Sequence, residues 1–375
     1  MKSTFLIALC FMMSYTTYGQ GLVKKYLNGL LNDTSSADKP KLMLFPTASF
    51  SPETNLELGI NGLYVYKAKE RKENRLSEIT GFTFYTLKNQ YGLNLDHAIY
   101  TDHDKYFLLG EFKVKSFPLK YYGIGSHAKP KELAIVNGVD FILKERILRR
   151  LGESVFTGLE LGFVNLSRVT LDNNIINSFE NQHEIIGLNG STNISVGWGF
   201  IYNNIHNILN ARHGVYSEWA FLHSNKVWGS DYTFTNFFAD NRFYHSVSER
   251  NVLAAQLFTR IGVGDVPFNQ LSLMGGDRMM RGYYLGRFRD KTMIASQVEY
   301  RMLPFSFLKR WGMALFLATA NVSPSVKDIS LSDFKVAGGT GMRFLLFPKK
   351  DIFARVDVAF TDEGSAFYVR IGEVF

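Results

Sequence analysis

The sequence predicts an all-β protein, a transmembrane antiparallel β-barrel of about sixteen strands, an even number as single-chain bacterial barrels require. Three observations predict it. The chain opens with an export leader. The remainder alternates apolar and polar residues with a period of two, over runs of about 10 to 13 residues, long enough for a tilted strand to cross a membrane. Tyr and Phe concentrate at the ends of those runs, as aromatic girdles do. A secreted all-β protein is the alternative, but it would turn its apolar faces inward.

The leader is residues 1–19. "MKSTFLIALCFMMSYTTYGQ" has a positive Lys2, an apolar run from Phe5 to Met13 and small residues before Gln20, with cleavage expected after Gly19. Cys10 is the single cysteine of the 375-residue chain and would leave with the leader. Leu9 is too bulky to precede a lipidated cysteine. The mature protein therefore has no disulfide, no Cys-ligated metal and no Cys nucleophile.

Residues 20–40 form an N-terminal segment. In "GLVKKYLNGLLND", 21–33, Leu22, Tyr26, Leu27, Leu30 and Leu31 fall near helical spacing, which reads as a short amphipathic helix. "TSSADKPK" follows as a linker. The barrel is then one domain, 41–375.

Within it, strand runs fall at 41–50, 55–67, 77–88, 91–101, 105–117, 133–146, 155–167, 187–202, 213–224, 231–245, 250–263, 292–302, 311–322, 334–346, 351–361 and 365–375. The alternation is plain in "NLELGINGLYVYK", where Leu56, Leu58, Ile60, Tyr64 and Tyr66 oppose Glu57, Gly59 and Asn61. In "DIFARVDVAF", Ile352, Ala354, Val356, Val358 and Phe360 oppose Asp351, Arg355 and Asp357. A membrane barrel turns the first kind of face to lipid and the second to its lumen.

The net charge of +8 is modest, and nucleic acid is excluded as a partner for an exported chain that is 15% aromatic. Much of the basic charge is expected in turns on one side, "KAKERKENR", "KERILRR", "FLKRW" and "FPKKD". Two readings stand: ordinary solvated turns, or a rim that docks membrane phospholipid or an acidic partner. The opposite side carries "GGDRMMRGYYLGRFRD", Gly275 to Asp290, between strands eleven and twelve. Its charges exclude a core strand and its four glycines exclude a helix.

This loop, with "ASQVEYRML" after it, resembles the signature of BamA/TamA-type outer-membrane barrels, also called the bacterial surface antigen family. The family's Arg-Gly-aromatic triplet stands here as Arg281, Gly282 and Tyr283, and the Glu-Tyr-Arg that follows in many members as Glu299, Tyr300 and Arg301. "LFPTASFSPETNLELG" is similar to the family's first hairpin. "AFYVRIGEVF" is similar to its terminal strand, with Tyr368, Gly372 and Phe375 as the expected outer-membrane sorting signal. The resemblance implies that the sixth extracellular loop folds into the lumen and that Arg281 meets acidic groups on the inner wall. It also implies a bacterial outer-membrane location and a role in protein insertion or translocation.

The chain departs from the family pattern in three places. About twenty residues between leader and first strand leave no room for a POTRA module, so clients would arrive through a partner. The acidic residue that many relatives carry on strand thirteen is replaced by Ala318, and "YNNIHN" stands where an Asp-x-Arg is common. The partner of Arg281 must therefore be found elsewhere. Gln297, Glu299 and Arg301 share the lumen face, because Ile294, Val298 and Tyr300 face outward. That makes Glu299 the first candidate, with Asp357 and Asp240 as alternatives.

Enzyme activity, metals and cofactors are not expected. None of the eight histidines sits in a catalytic motif or a His-x-x-x-His pair. Three functions are open. The leading one is an assembly or secretion barrel acting on client outer-membrane proteins with a periplasmic or lipoprotein partner. The second is a channel or structural barrel whose basic lumen would favour anions. The third is an accessory subunit of a larger outer-membrane complex. Outer-membrane lipids are partners in all three.

Overall fold

Sixteen strands close into one antiparallel sheet, each paired with its sequence neighbours. They are β1 (Lys41–Ser51), β2 (Asn55–Lys67), β3 (Leu76–Thr86), β4 (Tyr91–Tyr100), β5 (Tyr106–Ser116), β6 (Ala134–Arg150), β7 (Val155–Asp172) and β8 (Ser191–Asn203). They continue as β9 (Gly214–Ser224), β10 (Phe234–Ser246), β11 (Asn251–Gly264), β12 (Thr292–Met302), β13 (Trp311–Ser323), β14 (Lys335–Phe347), β15 (Ile352–Thr361) and β16 (Gly364–Ile371). The computed structural model describes residues 40–71, 73–131, 134–172, 185–205, 207, 210–348 and 351–375. The expected leader and the 21–33 segment lie outside the described residues.

A short piece, Leu119–Tyr121, prolongs β5 along the same neighbour, β6. Pro118 separates the two, and it has no N–H to give the ladder. Most strand ends match the alternation within a few residues; β7 runs five residues further, to Asp172, and three other differences stand out. "KERILRR", read as a turn, is the last part of β6, which runs on to Arg150 because Arg149 and Arg150 still pair with Thr157 and Phe156 of β7. Residues 187–190 are turn rather than strand, since Gly187 and Gly190 both hold positive φ. The last strand stops at Ile371 instead of reaching Phe375.

The period-two pattern decides which face is which. On β15, Val356 and Phe360 are 43% and 57% exposed, whereas Arg355 and Asp357, on either side of Val356, are 3% and 0%. The same inversion holds on β2 and β12, where Leu58 and Val298 point out while Glu57 and Glu299 point in. An outward apolar band of this extent is stable only against lipid. Among the described residues no helix is long and apolar enough to cross a membrane; the strands form the spanning wall.

Closure is uneven. Neighbouring strands share ladders of many residues, and β15 and β16, for example, pair from Ala354–Ile371 to Thr361–Gly364. Between β1 and β16, among the described residues, the ladder is the single pair Phe50–Val369. Phe50 and Phe367 stack across this seam with ring centroids 4.1 Å apart.

Candidate functional site

The loop between β11 and β12 begins and ends in a small ladder, Ser272–Met274 against Phe288–Asp290. Gly275 and Gly276, at φ +113° and +94°, turn the chain away from it. Within the loop, Gly276 N–H donates to Tyr283 O at 3.0 Å and Gly286 N–H to Met274 O at 2.9 Å. Gly282 sits at φ +109°, and a Cβ there would come within 2.5 Å of Thr361 Cγ2. Only glycine allows the chain both that φ and that approach to the wall.

The apolar side of the loop packs on small residues. Met274, Met280, Tyr283 and Phe288 form one buried cluster with Met293, Ala295, Ala318, Ala320, Val322 and Ala337. Ala318, the residue that departs from the family pattern, belongs to this floor.

Arg281 is 1% exposed. Its Nη1 donates to Asp357 Oδ2 at 2.7 Å, and its Nη2 donates to Glu299 Oε1. Its guanidinium lies 3.5 Å from the ring centroid of Phe316. Two of the three candidate partners are thus brought together on it. Asp240 is elsewhere: it accepts from Arg242 at 2.5 Å and from Gln256 Nε2 at 2.8 Å. Asp240 is on β10 and Arg242 is its own neighbour on the same face, so its charge is met locally.

Three further arginines complete the cluster. Arg301 Nε donates to Glu299 Oε2 at 2.8 Å. Arg343 Nη1 and Arg355 Nη1 donate to the two oxygens of Asp357 at 2.6 and 2.5 Å. Arg343 also reaches Glu373 at 3.0 Å. Four guanidiniums therefore face the carboxylates of Glu299, Asp357 and Glu373. Alternation had placed Arg301 and Arg355 on the polar face, but not at one depth in the barrel. Gly341 makes the space, since a methyl there would overlap the Asp357 carboxylate.

Other loops brace this one from outside. Tyr283 donates its hydroxyl hydrogen to Asp362 and packs edge-on against Phe288 at 5.7 Å. Burial, and then the Asp362 carboxylate, hold the Tyr283 phenol well above its ordinary value. Arg287 binds both oxygens of Glu363 at 2.7 and 2.6 Å and donates to Ala128 O at 2.9 Å. Leu285 N–H donates to Glu53 Oε1 at 2.8 Å.

The terminal residues Tyr368, Gly372 and Phe375 take separate places, because the strand stops at Ile371. Tyr368 is fully buried and points inward, where its hydroxyl accepts from Gly282 N–H at 3.0 Å. Gly372, at φ +88°, ends the strand. Glu373 then turns to Arg343, and Phe375 lies 6.2 Å from the ring of Tyr244 and 4.9 Å from the Arg301 guanidinium. Arg301 Nη2 also donates to the backbone oxygen of Phe375 at 3.0 Å. The tail is thus drawn onto the arginines that face inward.

The open part of the lumen lies on the other side, a cavity of about 510 Å³ bordered by β3 to β11. Its lining carries the carboxylates Glu78, Asp96, Glu111, Glu145, Glu160 and Glu218, against Lys144, Arg146 and Arg260. This corrects the expectation of an anion-favouring lumen. Many of the basic side chains are consumed in the cluster around Arg281, and the space left open is acid-lined. No group of His, Cys, Asp and Glu able to hold a metal occurs among the described residues.

A closed, sixteen-stranded barrel with an apolar exterior and a polar interior defines a bacterial outer-membrane β-barrel protein. The chain belongs to the Omp85 superfamily, whose domain model matches residues 140–375. Solved structures of similar fold include BamA from Haemophilus ducreyi lacking POTRA domains 1–3, at 13% identity and TM-score 0.57, covering 88% of this chain and 70% of that one. CdiB from Escherichia coli is similar at 10% identity and TM-score 0.55, covering 93% and 69%. CdiB from Acinetobacter baumannii is similar at 9% identity and TM-score 0.53, covering 88% and 59%.

Proposed function

We propose that this barrel assists the insertion of proteins into the outer membrane, or their translocation across it. The single pair Phe50–Val369 at the β1–β16 seam carries the reading. Strand edges with unmet N–H and C=O groups are templates for an added strand, and a seam held by one pair exposes such edges at little cost. The 275–290 loop is read as the family's sixth extracellular loop, folded into the lumen and latched by Arg281. A periplasmic or lipoprotein partner would deliver clients, docking on the 21–33 segment and the basic turns. Phe307 and Leu308 support that face as a docking rim, being 76% and 46% exposed beside Lys309 and Arg310.

Locking the seam tests the reading. Facing positions on an antiparallel ladder lie within disulfide reach, so Phe50→Cys with Val369→Cys, in a Cys10→Ser background, should close it under oxidation. The expected result is a fall in client outer-membrane proteins that reductant reverses. Unchanged levels with the disulfide formed would remove the seam from the mechanism. The second reading, a channel or structural barrel, is favoured by the dense packing around Met280 and Tyr283, which suits a fixed plug. In that case an opened barrel should pass cations in preference to anions, as its acid-lined cavity dictates.

A further inference from the structure

Arg370 on β16 touches three separate parts of the chain. Its Nε donates to Asp277 Oδ2 in the 275–290 loop at 2.8 Å. Its Nη1 donates to Glu57 Oε1 on β2 at 2.8 Å and to Ser49 Oγ on β1. Ser49 in turn donates to Glu57 Oε1 at 2.6 Å. Asp277 is held from a second side by Arg355 on β15, whose Nη2 lies 3.7 Å from its carboxylate and donates to its backbone carbonyl at 3.2 Å. Neither Arg370 nor Asp277 belongs to the triplet or to the group around Arg281.

The position of Arg370 gives these contacts weight. The backbone joins β16 to β1 at Phe50–Val369. Arg370 follows Val369 directly and lies on the lumen side, opposite the Phe50–Phe367 stack. Its bonds to Ser49 and Glu57 therefore cross the seam beside its one backbone pair. A guanidinium is a planar fork with fixed donor directions. An acceptor on Nε fixes the plane and so fixes where Nη1 points.

We infer that Arg370 couples the loop to the seam: Asp277 holds its guanidinium in the plane from which it ties β16 to β1 and β2. Movement of the loop away from β16 releases Nε, frees the side chain to rotate and weakens the tie. By reciprocity, parting of β1 from β16 weakens the hold on Asp277 and loosens the loop. The use of this coupling rests on the proposed function; the coupling itself is a property of the folded barrel.

Spin labels on the outward positions Ala48→Cys and Ile371→Cys, in a Cys10→Ser background, report the width of the seam in lipid nanodiscs. The expected result is one narrow distance distribution for the parent. Asp277→Asn and Arg370→Ala should each add a longer-distance population, and the double variant should add no more than the larger single effect. Folding of each is checked by its migration on gels before and after heating. Should Asp277→Asn fail to fold, Asp277→Ser is read in its place and should broaden, while Asp277→Glu, which keeps the carboxylate, should stay narrow. Broadening by Arg370→Ala with none by Asp277→Asn would make Arg370 a tie independent of the loop and overturn the inference. No broadening by either variant, or broadening by Asp277→Glu, would overturn it too. These distances are read on purified protein without a client. A narrow-to-broad change with no client dependence in cells would keep the coupling and remove the proposed function; the opposite pair of results would do the reverse.

Discussion

Removing Asp357 should cost the barrel more than removing Arg281. Asp357 is bonded to Arg281 at 2.7 Å, Arg355 at 2.5 Å and Arg343 at 2.6 Å, all inside the wall. Asp357→Ala leaves four guanidiniums facing only Glu299 and Glu373. Stranding buried charges in this way costs about 3–5 kcal/mol. Arg281→Ala behaves differently. Glu299 keeps Arg301 at 2.8 Å, Asp357 keeps Arg343 and Arg355, and positive and negative groups become equal in number. What is lost is the arginine's own charged hydrogen bonds, about 1.5–3 kcal/mol, and its place over Phe316. The expected gap is about 1–2 kcal/mol, roughly tenfold in the unfolding equilibrium. Urea unfolding in lipid or detergent, followed by tryptophan fluorescence, gives the order: parent most stable, then Arg281→Ala, then Asp357→Ala, with similar slopes. An Arg281→Ala midpoint at or below that of Asp357→Ala would refute the charge argument.

Three further outcomes follow from the same geometry. Gly341→Ala should displace the Asp357 carboxylate and lower stability by about 1–3 kcal/mol, read by the same unfolding curve, whereas Gly338→Ala, with its nearest neighbour at 3.5 Å, should be mild. Burial alone would raise the Asp277 carboxyl, but Arg370, Arg355 and Arg278 hold it below its ordinary 3.8. A depressed carboxylate contributes stability above its unfolded value and loses it as pH falls through the folded one. The Asp277–Arg370 contact should therefore survive from pH 7 to pH 5 and fail only below about pH 4, seen as seam broadening in the spin-label distances. Phe375→Ala should weaken the purified barrel through loss of contact with Tyr244 and Arg301; if Phe375 also serves as a sorting signal, the amount inserted in cells should fall by more than the stability loss explains.

Much of the wall was legible because a barrel strand must alternate. The runs 55–67 and 292–302 coincide with β2 and β12, and the lumen face of Gln297, Glu299 and Arg301 followed from the outward Val298. Glu299 and Asp357 were within reach for the same reason. What alternation cannot supply is depth and partner. Nothing in a period of two says that Arg343 joins Arg355 and Asp357 at one level. The loop-to-seam contact of Asp277 with Arg370 joins residues 93 apart and has no local signature. The turn at Gly372 depends on where Arg343 and Arg301 lie, and so the inward course of Glu373 and Phe375 was not readable from an aromatic chain end. Ala318 looked like a lost acid and is a floor for Met280 and Tyr283.

The central claim is that the latched loop is a working part of a barrel that handles other proteins. Depleting this protein in its own host, with Arg281→Ala as a second arm, and quantifying the outer-membrane proteome tests it most directly. The account predicts that a set of barrel or surface proteins falls on depletion, and that Arg281→Ala reproduces the fall while its own level in the membrane holds. An unchanged outer-membrane proteome in both arms would contradict it, and would leave the 275–290 loop as a fixed plug.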